Sequence, residues 1–165
     1  MMYHPVTKQI TELLTRTGCW FETFEHESVR TSEEAARVRT GYTIDQGAKA
    51  LIVRVKHPAH GKQFVMFVLP GSARFDSAKV KTLFGFSDLR FATEAEVAEI
   101  TGGVLPGGVP PLGTLFGIPV YADTTLLQNE RIIFNAGDRQ FSVAMRGVDY
   151  TRLVQPQVGS FITTS

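Results

Sequence analysis

Apolar residues recur along the chain with two different periods, and the changes between them mark out the elements. Val6, Ile10, Leu13 and Leu14 fall at i, i+4, i+7 and i+8, one face of a 3.6-residue repeat, which predicts an opening helix. Pro5 suits its first turn and Gly18 its stop. Trp20-Phe21-Glu22-Thr23-Phe24 reads as a short aromatic strand. Thr31-Ser32-Glu33-Glu34 has the form of a capping box, with Thr31 as N-cap and Glu34 three residues on. That helix is expected to run to about Thr40 and stop at Gly41. Two long strands follow, Ala48–Lys56 and Gln63–Leu69, joined by a polar turn with Pro58 and Gly61. Phe64 to Leu69 is apolar at every position, so both faces of that strand should be covered.

Ser77–Phe84 reads as a short helix, and Thr93-x-x-Glu96 as a second capping box with Ala92 and Val97 as its staple. Pro119–Ala122 predicts a strand, and Arg131–Asn135 with Gln140–Met145 a hairpin over Gly137-Asp138. A helix at Val148–Val154 is expected to close the chain. Helices and strands intersperse without a strict βαβ rhythm and without a visible linker. The expected architecture is α+β, one domain over residues 1–165. Its sheet should be mixed, largely antiparallel and curled toward a barrel, with flanking helices.

Composition narrows the function. The chain has 165 residues, 43% of them apolar and 20% charged, with 17 Lys+Arg against 16 Asp+Glu. That length buries about two thirds of the unfolded surface without staples. No apolar run reaches the roughly 18 residues of a membrane span, and no signal-peptide pattern opens the chain, so no membrane partner and a cytoplasmic location are expected. The single cysteine, Cys19, has no basic neighbour and reads as a buried, inert thiol in a reducing compartment. A net charge of +1 argues against a broad duplex-binding surface and is compatible with a small footprint on a nucleic-acid end.

Several chemistries are missing. There is no Gly-x-Ser-x-Gly elbow and no P-loop, and Gly102 to Gly108 follows a predicted helix rather than a strand, which disfavours a dinucleotide fingerprint. The zinc-deaminase pattern needs two further cysteines. His57-Pro58-Ala59-His60 offers two imidazoles in a turn without a third ligand. Neither a metal nor a cofactor is expected.

Two features remain. Strand alternation puts Lys49 on the same face as Leu51, Val53 and Val55. A lysine there either snorkels to water from the strand end or lines a cleft and meets an anion. Thr101–Gly113 holds five glycines and three prolines. Within it Gly107-Gly108-Val109-Pro110-Pro111-Leu112-Gly113 permits close backbone approach to a ligand, offers successive N–H groups, and is stiffened by its prolines. Long connections of this kind are often functional.

Together these features resemble the YbaK/prolyl-tRNA-synthetase-associated domain family, the bacterial aminoacyl-tRNA editing domains. The likeness runs from about Phe24 to Leu153. It is carried by Glu25-His26, Thr31-x-Glu33-Glu34-Ala35-Ala36, Gly47-Ala48-Lys49-Ala50-Leu51-Ile52-Val53, Thr101-Gly102, the Gly107–Gly113 loop and Phe134-Asn135-Ala136-Gly137. The resemblance implies a free-standing deacylase that hydrolyses the ester of a mischarged tRNA, with tRNA-Pro carrying a small wrong amino acid as the expected substrate. Lys49 corresponds to the family lysine and would position the acceptor end. The Gly107–Gly113 loop would bind the ester carbonyl, with a backbone donor near Gly108. The substrate's own hydroxyl or amine would assist, because no general base presents itself.

Further candidate substrate contacts are His26, Thr31, Leu51, Gly107, Val109, Pro110, Pro111, Gly113, Phe134, Asn135 and Ser142. Asp138 reads as turn chemistry. The chain departs from the family pattern at Ala50, where alanine-specific relatives tend to be polar and cysteine-specific ones carry threonine, and at Pro110, where some relatives have Ser or Thr. These departures leave the amino acid open. The competing reading is a non-catalytic module that binds a tRNA acceptor end or a synthetase, using Arg30, Arg37, Arg39, Lys79 and Lys81. A third is hydrolysis of a different small ester or amide in the same cleft.

Overall fold

Helix α1 (Pro5–Arg16) forms where the apolar period places it, with Val6, Ile10 and Leu14 buried on one face. The ring of His4 caps it by accepting the Val6 N–H at 3.1 Å, and Gly18 at φ +72° lets the chain turn away. The computed structural model describes residues 2–29 and 31–164. Strand β1 (Phe21–Glu25) leads to α2 (Ser32–Val38), whose N-cap Thr31 accepts the Glu34 N–H at 3.1 Å. The helix ends at Val38, short of the expected Thr40, because Arg39 leaves helical geometry at φ −105°, ψ 87°.

The hairpin of β2 (Ala48–His57) and β3 (Gly61–Pro70) is the longest pairing in the molecule. After it come β4 (Ala73–Phe75), α3 (Ser77–Phe84), β5 (Asp88–Phe91) and α4 (Glu94–Thr101). A long loop, a 3-10 turn at Gly113–Phe116, β6 (Val120–Asp123) and α5 (Thr124–Leu127) follow. The chain continues through β7 (Arg131–Asp138), β8 (Phe141–Arg146), α6 (Gly147–Val154), β9 (Gln157–Gly159) and β10 (Ile162–Thr164).

The main sheet has the order β5-β2-β3-β6-β9, antiparallel through β3 and parallel beyond it. A second, antiparallel sheet has the order β1-β8-β7, and β10 pairs with β4. The two larger sheets share one core: Ile52, Met66, Val68 and Ala122 from the first meet Ile132, Phe134, Val143 and Met145 from the second. They also touch through a bridge between Gly47 and Ile133. The other face of the main sheet carries a separate aromatic cluster, with Phe67, Tyr121 and Phe161 at its centre. β3 is thus covered on both sides, as its unbroken apolar run requires.

Two expectations are corrected. The β7–β8 hairpin does not turn at Gly137-Asp138: Asn135 pairs with Ser142 and Asp138 with Phe141, so Ala136 and Gly137 form a bulge and the turn is Arg139-Gln140. Gly137 supplies the positive φ, +90°, that the bulge needs. Asp138 does carry turn chemistry, accepting the Gln140 N–H at 2.9 Å. Nor does α6 close the chain, since β9 and β10 follow it. Each is only three residues long, too short for an apolar period to register.

The box at the start of α4 is complete in both directions: Thr93 Oγ1 accepts the Glu96 N–H at 3.1 Å and Glu96 Oε1 accepts the Thr93 N–H at 2.9 Å. Arg90 adds a two-pronged contact to the same carboxylate at 2.8 and 2.9 Å. These donors, Arg90 foremost, hold the Glu96 carboxyl down to about 2 from an ordinary 4.5. A depressed carboxyl contributes stability that is present above its unfolded value and is lost as pH falls through its folded one. Glu96→Gln is therefore expected to lower the melting temperature at pH 7, with the gap to the parent closing as the pH is taken from the ordinary carboxylate range down to about 2. Paired thermal melts across that range check it, and a gap that persists unchanged contradicts the assignment.

Candidate active site

Segments distant in sequence close around one cavity of about 110 Å³. Its wall comes from α2 (Thr31, Ser32, Ala35, Arg39), the approach to β2 (Ile44, Gly47, Ala48, Lys49, Ala50), the loop tip (Gly107, Val109) and Asn135 of β7. Ser32, Ala35 and Arg39 stand at i, i+3 and i+7, so one helical face supplies the first part. Gly71, just beyond β3, lets that face come close. A Cβ at this position would lie 2.9 Å from Ser32 Cβ and 3.0 Å from the Ile44 carbonyl oxygen. The Gly71 N–H donates to the Gly47 carbonyl at 2.8 Å, which ties the strand end to the cavity rim.

Lys49 is half-buried on this wall and donates from Nζ to the Ala73 carbonyl at 2.8 Å. Burial lowers its pKa, and the nearby Glu33 charge partly opposes the shift. Lys49 thus lines the cavity, with its ammonium bonded to a backbone carbonyl.

The glycine-proline loop divides into two parts. Gly107, at φ +87°, and Val109 line the cavity, and their N–H groups have no hydrogen-bond partner among the described residues. Gly108 between them is buried and faces the other way. Its N–H donates to the Leu105 carbonyl at 2.9 Å, and its own carbonyl accepts the Gly137 N–H at 2.8 Å. The donor expected at Gly108 is therefore engaged inside the loop, and the amides open to a ligand are those of its two neighbours. Pro110, Pro111 and Gly113 are buried away from the cavity and anchor the loop. The Pro111 carbonyl accepts from Tyr150 at 2.6 Å, and a Cβ on Gly113 would lie 2.7 Å from Val120 Cγ2.

A polar chain runs beneath the cavity. Arg39 Nε donates to Ser142 Oγ at 3.0 Å, and Arg39 Nη2 donates to Asn135 Oδ1 at 3.0 Å. Ser142 Oγ donates to Asn135 Oδ1 at 3.1 Å, and Asn135 Nδ2 donates to the Gly107 carbonyl at 2.8 Å. His26 Nε2 lies 2.8 Å from Ser142 Oγ, so His26 and Ser142 stand behind the wall. Leu51 packs with the aromatic cluster, and Phe134 is in the core at 1% exposure because it points opposite to its neighbour Asn135. Of the expected contacts, the fold brings together Thr31, Lys49, Gly107, Val109 and Asn135, and leaves His26, Leu51, Gly108, Pro110, Pro111, Gly113, Phe134 and Ser142 off the wall.

Arg39, expected only among the basic residues of a binding module, is 6% exposed and lines the cavity. The readable signal is its spacing of seven from Ser32 and four from Ala35, which carries it just past α2 onto the same side. Arg37 and Lys79 are exposed, and Arg30 lies outside the described residues. The wall carries no carboxylate and no imidazole among the described residues. His57 and His60 stack at 4.6 Å in their turn, and no group of three or more His, Cys, Asp or Glu side chains converges among the described residues.

The fold is α+β, and it sets a half-buried lysine and unpaired loop amides on one small cavity. Residues 26–153 match the aminoacyl-tRNA editing domain, and the chain belongs to that family. It is 32% identical over 160 residues to the multifunctional Ser/Thr-tRNA deacylase ProXp-y of Escherichia coli K12, covering 96% of this chain and 93% of that one. It is 27% identical over 149 residues to the proline–tRNA ligase of Ralstonia pickettii, 90% of this chain and 24% of the ligase. A crystal structure assigned as a trans-editing enzyme for prolyl-tRNA synthetase superposes with a TM-score of 0.81 at 27% identity, over 98% of this chain and 99% of that one. The protein is an aminoacyl-tRNA deacylase, and the reading as a non-catalytic module is set aside. No helix among the described residues is long and apolar enough to cross a membrane.

Gly71→Ala tests how the wall is assembled. Its new methyl group meets Ser32 Cβ and the Ile44 carbonyl, neither of which is the end of a flexible side chain. The expected cost is about 1–3 kcal/mol of stability, as for other overpacked sites, together with reduced deacylation. Chemical denaturation and a deacylation assay check both, and unchanged stability would show that the helix moves freely.

Proposed function

We propose that the protein removes serine or threonine from tRNA, with Lys49 holding the acceptor end and the Gly107 and Val109 amides receiving the ester carbonyl. The observation that carries this reading is that Lys49 and two loop residues with unengaged amides line one cavity of about 110 Å³. A space of that size takes the acyl group of a small amino acid and leaves the terminal nucleoside at the mouth. Catalysis then rests on register and polarisation: Lys49 binds the terminal phosphate or ribose, which places the ester against the loop. Amides aimed at the carbonyl oxygen stabilise the charge that develops there, each donor being worth about 100- to 1000-fold in rate.

The wall supports a hydroxylated amino acid. Thr31 and Ser32 carry hydroxyls beside small Ala35, Ala48 and Ala50. One methylene in an apolar pocket is worth only about 1–3 kcal/mol, whereas a site built to bond a hydroxyl rejects analogues lacking it far more strongly. The relative named as a Ser/Thr-tRNA deacylase supports the same choice. The tRNA itself is read differently by the two kinds of relative. Those connected with prolyl-tRNA synthetase support tRNA-Pro carrying a small wrong amino acid.

Purified protein is expected to release serine and threonine faster than alanine from a panel of charged tRNAs that includes tRNA-Pro. Lys49→Ala should lower the rate by at least about 100-fold, in line with loss of a positioning group. Burial depresses the lysine, so its ammonium is lost as pH rises through a value below the ordinary 10.5. The enzyme-dependent rate, corrected for spontaneous hydrolysis, should fall in that alkaline range. Removal of alanine with serine and threonine left in place would overturn the choice of amino acid.

A further inference from the structure

Arg39 is a buried cation with no counter-ion among the described residues. It is 6% exposed, and both of its hydrogen-bond partners, Ser142 Oγ and Asn135 Oδ1, are neutral. The ion pairs among the described residues are Lys8–Glu12, Arg90–Glu96 and Arg152–Asp149, none of which involves it. The one buried carboxylate among the described residues, Asp123, is committed elsewhere, accepting the Thr125 and Phe161 N–H groups at 3.0 and 2.9 Å. Burial lowers the Arg39 pKa to about 10, which leaves the guanidinium charged at neutral pH. Its remaining nitrogen, Nη1, bonds no described residue and lies beside Gly47 of the cavity wall, 3.5 Å from where a Cβ on that glycine would sit.

We infer that Arg39 is a catalytic residue whose free Nη1 edge receives the ester carbonyl oxygen as it becomes an anion, across from the Gly107 and Val109 amides. The inference rests on the placement of the ester given above and adds a charged partner to it. A desolvated charge without a counter-ion is disfavoured unless a ligand brings negative charge to it. Three parts of the substrate could do so. The phosphodiester belongs with the nucleoside, which the proposed function places at the mouth. A side-chain hydroxyl stays neutral throughout. Of the three, only the carbonyl oxygen changes from neutral to fully charged, and a cation in a low-dielectric wall acts most strongly on such a change. The geometry agrees, since Asn135 binds Arg39 Nη2 through Oδ1 and the Gly107 carbonyl through Nδ2, fixing guanidinium and loop relative to each other.

In the reaction a water oxygen adds to the carbonyl carbon, and the π pair moves onto the carbonyl oxygen between Nη1 and the loop amides. The tetrahedral species collapses with re-formation of the C=O bond and cleavage of the bond to the ribose oxygen. One proton of the water ends on that ribose oxygen and the other passes to solvent. The products are an amino-acid carboxylate and a tRNA with its ribose hydroxyl restored.

Single-turnover deacylation by Arg39→Met and Arg39→Ala, measured against enzyme concentration on seryl-, threonyl- and alanyl-tRNA, tests the role. The maximal rate is expected to fall about 100- to 1000-fold on every ester the parent cleaves, with the half-saturating concentration changed by less than about threefold. Millimolar guanidinium should restore part of the Arg39→Ala rate, and urea, its uncharged counterpart, should not. Arg39→Met should melt no lower than the parent, because Ser142 and Asn135 still bond each other once the buried charge is gone. Four results overturn the inference: an unchanged maximal rate, a loss confined to serine and threonine, a loss only in half-saturation, or an activity loss that tracks unfolding with no rescue by guanidinium. Failure of the serine/threonine reading looks different. The parent would then spare those two esters, while the Arg39 effect would persist on the ester that it does cleave.

Discussion

One carboxamide connects the two halves of the site. Asn135 accepts from Arg39 Nη2 and Ser142 Oγ on one side and donates to the Gly107 carbonyl on the other. α2 lies about a hundred positions before it in the chain, and the loop tip about thirty. Gly107 is exposed at the loop tip, where a backbone carbonyl would ordinarily be held only by water. Tied to Asn135, with Gly108 bonded to both Leu105 and Gly137, the tip is braced while the Gly107 and Val109 amides stay unengaged by described residues. Amides act on a developing charge only when they need not reorganise to do so, and this bracing supplies that condition. The bulge that follows Asn135 belongs to the same device, because it is Gly137 that reaches the Gly108 carbonyl.

The fold was legible wherever a period ran long enough to be seen. The β2–β3 hairpin, α1, α3 and the Thr93 box all stand within a residue or two of where pattern and capping chemistry put them. The missed elements are short: β4, β9 and β10 are three residues each and β5 and α5 four, and tertiary pairing rather than local pattern decides the strands. At Gly137-Asp138 the glycine signal was real, and it was read as the commoner of its two uses, a turn in place of a bulge.

The site was legible in part, for a related reason. Lys49 and the loop stood out because each contradicts its local setting, a charge on an aliphatic strand face and a run of residues that cannot settle into helix or strand. Which amides of the loop remain open was not readable, since that depends on Leu105 and Gly137 taking up Gly108. Phe134 and Leu51 neighbour Asn135 and Lys49 in the chain and yet lie off the wall. For Phe134 the alternation of the strand already places the side chain on the far face. Arg39 stands in a charged segment, a setting that ordinarily reads as solvated. Only its bond to the buried Ser142 reveals that it is not.

The electrostatics of the cavity bear on how the proposed hydrolysis would proceed on a wall without carboxylate or imidazole among the described residues. Its wall holds two cations and, among the described residues, no anion and no imidazole. Such a wall does little for a neutral ester and much for the tetrahedral anion derived from it, so its charge acts on the barrier rather than on binding. A general base contributes about 100- to 10,000-fold, and a well-aimed oxyanion donor is of the same order. A site with several donors already in place can therefore dispense with the base and still accelerate hydrolysis. The same charge has a structural consequence. A guanidinium kept dry and unpaired weakens the fold that holds it, and it is tolerated because neutral partners fill its other hydrogen bonds. The network beneath the cavity keeps a costly charge positioned for the one moment of the reaction at which a negative charge forms beside it.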